Sequence, residues 1–236
     1  SAEKLTAWPT DGWVTNGGNV YNQCYSPLTE INRDNVAQLK PLWRTSLNGS
    51  GTDSKYSGQA QPLVYEGVIY IPTGANDVFA LDVDTGAILW THEAHLSPDI
   101  TVICCGWMSR GVALGEGKVY SGQLDGKLVA LDQRTGEVVW SVQAERNEDA
   151  FSITAAPLYY DGLVITGFSG AAHARVRADA REWLGRERRR FGLIYLDPPA
   201  FSTSNAMRGT LDIQRDHVPL LTDAARFGEL PDRVTG

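Results

Sequence analysis

Two neighbouring cysteines are the residues of this 236-residue chain that most strongly suggest chemistry. Cys104 and Cys105 stand side by side, and Arg110 follows five residues after them. A disulfide between adjacent cysteines closes a very small ring and strains the peptide bond between them, which proteins tolerate where function requires it. Two reduced, buried thiols, or one cysteine of the pair bonded to Cys24, are equally open alternatives. An oxidised pair would indicate an extracytoplasmic compartment.

A second candidate site follows an apolar segment nearer the end of the chain. Residues 191–196 form an apolar run typical of a parallel strand, and a helical pattern at 178–184 precedes it. The run ends at Asp197, which Pro198 and Pro199 follow. Open α/β sheets hold ligands at the carboxyl ends of their strands, so Asp197 is a candidate functional residue.

The composition is that of a folded globular protein with a step in its charge. Hydrophobic residues make up 42% of the chain and charged residues 21%, and seven Trp, nine Tyr and six Phe exclude a mainly disordered protein. The apolar runs are too short to span a bilayer. Residues 1–170 carry a net charge of −9 and residues 171–236 one of +2. Such a step predicts a domain boundary near residue 171.

A repeat of about 50 residues organises the first part of the chain. Gly67–Trp90 and Gly117–Trp140 share a Gly-x-x-Tyr start, an Ala-Leu-Asp-x-x-Thr-Gly core and a closing Trp, and Asp161–Gly167 opens a third copy. In the Asp-x-x-Thr-Gly turn the Asp and Thr side chains can bond exposed backbone groups, and Gly takes a positive φ. Short strands with one such turn per unit predict a propeller-type array rather than two chance hairpins.

Residues from about 13 to 170 resemble the N-terminal portion of pyrroloquinoline quinone (PQQ)-dependent alcohol dehydrogenases, the methanol and ethanol dehydrogenase family. Besides the two repeats, the stretches that carry the resemblance are Gly17–Asn19, Tyr25–Leu28, Ile31–Asn32, Asn35–Val36, Cys104–Arg110, Ser152–Pro157 and Gly167–Gly170. That family folds as an eight-bladed β-propeller with PQQ near its axis. The resemblance therefore implies a mainly β fold, here a partial arc of about three blades.

The same resemblance implies a cofactor-binding site. Cys104 and Cys105 would form a disulfide ring against one face of the planar quinone, with Cys24 left free. Arg110 would face the carboxylates or the quinone oxygens and make charge-assisted hydrogen bonds to them. Thr154, Ser169 and Gly170 would make short hydrogen bonds to the rim of the cofactor.

Two positions depart from the family pattern. Gln59 stands where the family usually has an acidic cofactor contact, and Ala172 stands where it has a Glu that binds Ca²⁺. Calcium requires hard oxygen ligands, which an alanine side chain lacks. We therefore expect no complete metal site in this chain, although the family uses PQQ together with Ca²⁺.

Residues from about 173 to 221 resemble the catalytic segment of S-adenosylmethionine (SAM)-dependent guanine methyltransferases that act on ribosomal RNA. The resemblance rests on residues 197–204 and 207–217. It implies that Asp179 lies at the adenine end of SAM, and that Asp197 and Pro198 face the edge of the target base with Phe201 stacked on it. The Arg186–Arg190 cluster could contact RNA phosphates, although such a helix surface is more often simply solvated. This segment has no Gly-rich loop to approach SAM.

These observations predict two unlike domains. Residues 1–171 are interpreted as a partial quinoprotein β-propeller, and residues 172–236 as a small α/β, Rossmann-like methyltransferase fragment. Since the first family works in the periplasm and the second in the cytoplasm, the sequence is interpreted as a chimaera.

The predicted function follows from the larger domain. By resemblance, it is a fragment of a PQQ-dependent alcohol dehydrogenase that oxidises a primary alcohol to an aldehyde and passes electrons to a cytochrome or a quinone. The fragment is expected to be inactive by itself and to self-associate through exposed strand edges. A SAM-dependent RNA methyltransferase, assigned from the last segment, and a propeller scaffold without enzymatic activity are the alternatives.

Overall fold

The computed structural model describes residues 2–101, 103, 106–146, 151–169, 201–203 and 210–212. The chain divides into two compact units, Ser1–Ala171 and Ala172–Gly236. Within the described ranges, no helix is both long enough and apolar enough to cross a membrane.

Two four-stranded antiparallel sheets form the centre of the first unit, as the repeats predict. In each sheet the strands pair in chain order. The first sheet consists of β1 (Leu63–Tyr65), β2 (Val68–Pro72), β3 (Val78–Asp82) and β4 (Ile88–His92). The second sheet consists of β5 (Ala113–Gly115), β6 (Lys118–Gly122), β7 (Lys127–Asp132) and β8 (Val138–Gln143).

Shorter elements surround these sheets. The third repeat begins with an antiparallel hairpin of β9 (Leu158–Tyr160) and β10 (Leu163–Ile165). A short helix, α1 (Ala2–Thr6), and two 3₁₀ helices, Val36–Gln38 and Leu47–Gly49, precede the first sheet. The predicted mainly β architecture is therefore confirmed for the first unit.

The Asp-x-x-Thr-Gly segments form the predicted turns between the third and fourth strands of each sheet. The Asp82 carboxylate accepts hydrogen bonds from the Thr85 hydroxyl at 2.7 Å and from the Thr85 N–H at 2.8 Å. These bonds hold the pKa of Asp82 below its usual value. Asp132 accepts backbone N–H bonds from Arg134 and Thr135, which lower its pKa in the same way.

Trp43 and Trp90 each pack on the glycine of the Asp-x-x-Thr-Gly turn that follows them in the chain. The ring of Trp90 lies over Gly136, and its Nε1–H donates to the Gln133 carbonyl at 3.1 Å. Trp43 makes the same contact with the first sheet, where its Nε1–H donates to Val83 at 3.0 Å. Because these contacts bridge successive repeats, they fix the sheets side by side. Trp90 is only 8% exposed, whereas Trp140 at the end of the second sheet is 36% exposed.

The main hydrophobic core lies between the two sheets. It is formed by buried side chains of both sheets and of the segment that joins them, namely Leu63, Tyr70, Val78, Ala80, Trp90, Val112, Leu114, Val119, Val129 and Leu131. The third strands, β3 and β7, are buried along almost their whole length, as expected for strands covered on both faces.

Antiparallel pairing gives the sheets two distinct ends. We call the end with the β2–β3 turn (73–77) and the β6–β7 turn (123–126) the upper end. The lower end carries the β1–β2 and β5–β6 turns, in which Glu66 and Glu116 have positive φ values of 50° and 48°. The segments that precede β5 and β9 arrive at the upper end, so Arg110 and Thr154 lie there.

In the second unit the structure describes one antiparallel pair, β11 (Phe201–Thr203) with β12 (Thr210–Asp212). The helix predicted at 178–184, the parallel strand predicted at 191–196, Asp179 and Asp197 lie outside the described residues. An antiparallel pair gives no support to the predicted Rossmann-like arrangement, which stays a prediction.

Candidate functional site

Backbone hydrogen bonds join successive repeats at the upper end. Residues 55–61 run beside residues 106–110: the Trp107 N–H donates to the Lys55 carbonyl at 2.7 Å, and the Gln61 N–H donates to the Arg110 carbonyl at 3.1 Å. The Arg110 N–H in turn donates to the Thr154 carbonyl at 3.1 Å. Residues 106–110 are therefore hydrogen-bonded to the segment before the first sheet on one side and to the third repeat on the other.

Arg110 and Thr154, two of the predicted site residues, also meet through their side chains. Arg110 Nη1 donates to Thr154 Oγ1 at 2.9 Å and approaches the Thr154 carbonyl at 3.5 Å. Thr154 is 8% exposed, whereas Arg110 is exposed. The guanidinium is thus fixed through one nitrogen, and among the described residues no partner occupies its other N–H groups. A guanidinium held in this way is suited to bind carboxylate or carbonyl oxygens of a ligand.

Hydrogen bonds link Arg110 to three hydroxyl groups, those of Thr154, Ser169 and Ser152, and we call these four side chains the Arg110 cluster. Thr154 Oγ1 donates to Ser169 Oγ at 3.4 Å, and the Ser169 and Ser152 hydroxyls lie 2.9 Å apart. Ser152 and Ser169 also exchange backbone N–H···O bonds of 3.1 and 2.8 Å. The structure thus brings Arg110, Thr154 and Ser169, three of the predicted site residues, together.

Ser152 is a member of this cluster that the sequence reasoning did not select. It is 2% exposed, and the alternation Ser152-Ile153-Thr154 places the two hydroxyl residues on one face of the segment. That alternation was the available signal, but it does not show which partner the Ser152 hydroxyl meets.

Lys55 is a second basic group of the upper end that sequence reasoning missed. Its Nζ lies 4.1 Å from the centroid of the Trp107 ring and 5.0 Å from that of Tyr56. These are cation–π distances, and they keep the ammonium group beside a buried indole that is 8% exposed. Gln59 is exposed, and its side-chain amide donates to the Ser57 hydroxyl at 3.1 Å.

Several predicted site residues lie outside the described residues. They are Cys104, Cys105, Gly170 and Ala172. The predicted disulfide between the two neighbouring cysteines therefore stays a prediction, while Cys24 is a free and exposed cysteine. Gly106, directly after the pair, has a φ of 94° and lies against the Lys55 carbonyl, where a Cβ would come within 3.0 Å.

A cavity of about 650 Å³ lies at the lower end, away from the Arg110 cluster. Its lining includes Lys4, Tyr65, Glu116 and Tyr159. Tyr159 stacks on Tyr120, and burial raises the pKa of Tyr120 to about 12. These phenols stay protonated at neutral pH and pack the second sheet against the β9–β10 hairpin, so we assign them a structural role.

Comparison with known proteins identifies the family of the first unit. The family model described as glucose/ethanol/alcohol dehydrogenase, β-propeller domain, of PQQ proteins matches residues 13–182. The quinoprotein alcohol dehydrogenase PedH of Pseudomonas putida is 45% identical over 157 residues, which are 66% of this chain and 26% of that protein. The 1-butanol dehydrogenase (cytochrome c) of Thauera butanivorans is 38% identical over 161 residues, 67% of this chain and 23% of that protein.

Solved structures agree with this result. The quinohemoprotein alcohol dehydrogenase of Comamonas testosteroni matches with a TM-score of 0.64 and 36% identity over 70% of this chain and 24% of its own. A europium-containing methanol dehydrogenase matches with a TM-score of 0.62 and 32% identity over 68% of this chain and 28% of its own.

The chain thus spans about a quarter of the length of the curated relatives that it matches. None of these matches supports the methyltransferase interpretation of residues 173–221. Since the family model covers well over half of the sequence, the chain belongs to the PQQ-dependent glucose/ethanol/alcohol dehydrogenase β-propeller family.

Proposed function

We propose that the upper end of this chain forms one side of the PQQ-binding site of an alcohol dehydrogenase. The observation that carries the proposal is the Arg110–Thr154–Ser169 cluster, which collects side chains from successive repeats at one end of the sheets. We infer the identity of the cofactor from the family membership, and we infer the residues that would bind it from the geometry of the cluster.

The groups present fit an anionic quinone. PQQ is planar and carries carboxylates and quinone oxygens, and it accepts two electrons from an alcohol when bound. Arg110 offers N–H donors to those oxygens, and its bond to Thr154 keeps it in place. The Thr154 and Ser169 hydroxyls provide further short hydrogen bonds, and the Lys55 ammonium adds positive charge at the same end. Cys104 and Cys105, as a disulfide, would cover one face of the ring.

A metal ion fits these residues less well. The relatives include a europium-containing methanol dehydrogenase, but the Arg110 cluster has hydroxyl groups and no carboxylate among its described partners. The described residues contain no group of three metal-ligating side chains, and Ala172 has no side-chain oxygen. We therefore assign no metal-dependent step to this chain, and the Ca²⁺ of the family would need other ligands.

For the whole protein we propose oxidation of a small primary alcohol to an aldehyde, with a cytochrome or a quinone as electron acceptor. Support comes from relatives named 1-butanol dehydrogenase (cytochrome c) and alcohol dehydrogenase (quinone). We propose a periplasmic location because an oxidised Cys104–Cys105 pair requires an oxidising compartment. Self-association through the exposed β8 strand, and SAM or RNA binding by residues 172–236, stay predictions.

The proposal is tested by titrating the 236-residue chain with PQQ and following the quenching of tryptophan fluorescence. In Arg110→Gln we expect affinity to fall about ten- to hundredfold, because a hydrogen bond to a charged group contributes about 1.5–3 kcal/mol. Arg134→Gln is the matched control, since Arg134 is an exposed arginine in a lower-end turn. Equal affinities of the parent and both variants would refute the assignment.

A further inference from the structure

Asn76 is a buried amide that binds two separate segments of the upper end. It lies in the β2–β3 turn of the first sheet and is 0% exposed. Its Oδ1 accepts the Leu124 N–H at 2.7 Å, in the β6–β7 turn of the second sheet. Its Nδ2 donates to the Met108 carbonyl at 3.4 Å. One side chain therefore connects the first sheet to the second sheet and to the segment that carries Arg110.

The two residues that Asn76 contacts, Met108 and Leu124, are connected through the backbone to Arg110 and to Thr154 respectively. Met108 lies two residues before Arg110. In the other direction, the Gln123 carbonyl, next to Leu124, accepts the Ile153 N–H at 3.1 Å, and Ile153 directly precedes Thr154.

The bonds between Arg110 and Thr154 then close a ring. The ring contains few freely rotating links, because every step except the exposed Arg110 side chain is a backbone bond or a buried side chain. Any displacement of the 107–110 segment relative to the 123–124 turn changes the position of the guanidinium relative to the Thr154 hydroxyl. Asn76 is the side chain that spans this gap.

The backbone of the turn does not by itself require asparagine. Asn76 has a φ of 68°, and the corresponding residue of the second sheet is Gly126, with a φ of 81°. Both turns contain the same short bond, from Asn76 N–H to Thr73 at 3.0 Å and from Gly126 N–H to Gln123 at 3.1 Å. Glycine adopts this conformation at the lowest cost. The gain from asparagine therefore lies in its side-chain contacts.

We propose that Asn76 is a positioning residue for the PQQ site, which fixes the Arg110 guanidinium against the Thr154 hydroxyl through the Met108 carbonyl and the Leu124 N–H. The inference rests on the proposed function of the Arg110 cluster. Asn76 is fully buried and acts through the two segments that it binds.

The test uses Asn76→Gly, which keeps the left-handed backbone and removes both side-chain bonds. Asn48→Gly is the matched control, because Asn48 also has a positive φ, of 54°, and is exposed. We expect Asn76→Gly to weaken PQQ binding about tenfold and Asn48→Gly to leave it within about twofold. The backbone amides of Arg110 and Leu124 should exchange hydrogen faster in Asn76→Gly alone, as NMR can measure without cofactor.

The outcomes separate this inference from the proposed function. If the parent chain binds PQQ and folded Asn76→Gly binds it equally well, Asn76 has no positioning role. If the parent does not bind PQQ, the proposed function fails, and unchanged exchange of the Arg110 amide in Asn76→Gly then overturns the inference as well. Should the glycine variant not fold, Asn76→Asp keeps the acceptor for Leu124 and removes the donor to Met108. Parental PQQ affinity in that variant would equally overturn the inference.

Discussion

The contact between Trp90 and Gly136 is expected to hold the two sheets together, and a single methyl group can test it. In Gly136→Ala the new Cβ would lie 2.5 Å from Cε3 of the Trp90 indole. Gly117→Ala is the matched control. Gly117 has a φ of 67°, close to the 74° of Gly136, but a Cβ at Gly117 has no atom within 4 Å.

The difference between the two variants isolates the packing between the sheets. Each substitution places a Cβ in a left-handed conformation, which costs roughly 1–2 kcal/mol. Overpacking adds about 1–3 kcal/mol, and only in Gly136→Ala. The effect of Gly→Ala on the unfolded chain is common to both and cancels. We therefore expect Gly136→Ala to lower the free energy of unfolding by about 1–3 kcal/mol more than Gly117→Ala does.

Urea denaturation at 25 °C, followed by far-UV circular dichroism, measures both values. With a slope of about 2 kcal/mol per molar urea, the midpoint of Gly136→Ala should lie at least about 0.5 M below that of Gly117→Ala. Coincident midpoints would refute the reasoning, because the Trp90 indole would then have moved to accommodate the methyl group without losing packing contacts.

Three further predictions concern pH, thiols and turnover. The lowered pKa values of Asp82 and Asp132 mean that the unfolded state binds more protons than the folded state below pH ~4. The stability that these two carboxylates contribute is therefore lost as pH falls through their folded-state pKa values. The double variant Asp82→Asn, Asp132→Asn should flatten the decline of the melting temperature between about pH 4 and 2, and parallel curves for variant and parent would contradict this. If Cys104 and Cys105 are joined, mass spectrometry of the oxidised, undenatured protein should count one free thiol, at Cys24; three reactive thiols would refute the pairing. The 236-residue chain should show no dye-linked ethanol oxidation with PQQ and Ca²⁺, since its described site offers no carboxylate base; turnover above a heat-killed control would contradict this.

Local sequence was sufficient to predict the sheets. The Asp-x-x-Thr-Gly turn is specified by residues three and four positions apart, and the closing tryptophan recurs at a constant distance from it. The structure confirms the turns at Asp82 and Asp132, and it shows Trp90 packed on Gly136 of the next repeat. Such features are predictable because their partners lie within one repeat or at the repeat distance.

The candidate site was predictable only in part. Arg110, Thr154 and Ser169 were selected through family resemblance, and nothing in their own spacing shows that they meet. The repeat does not reveal the contacts of Asn76 and Lys55, because Gly126 replaces Asn76 in the second copy and Lys55 lies outside the repeated segments. Long-range pairs of this kind need coordinates, because one sequence fixes which residues are present but not which loops lie side by side.

The central claim is that PQQ binds against Arg110 at the upper end of the sheets. A crystal structure of the chain grown with PQQ tests it most directly. We predict electron density for the quinone with an oxygen about 2.7–3.2 Å from an Arg110 nitrogen, and a second polar contact to the Thr154 or Ser169 hydroxyl. Quinone density in the lower-end cavity beside Tyr159, with Arg110 free of contact, would contradict the claim.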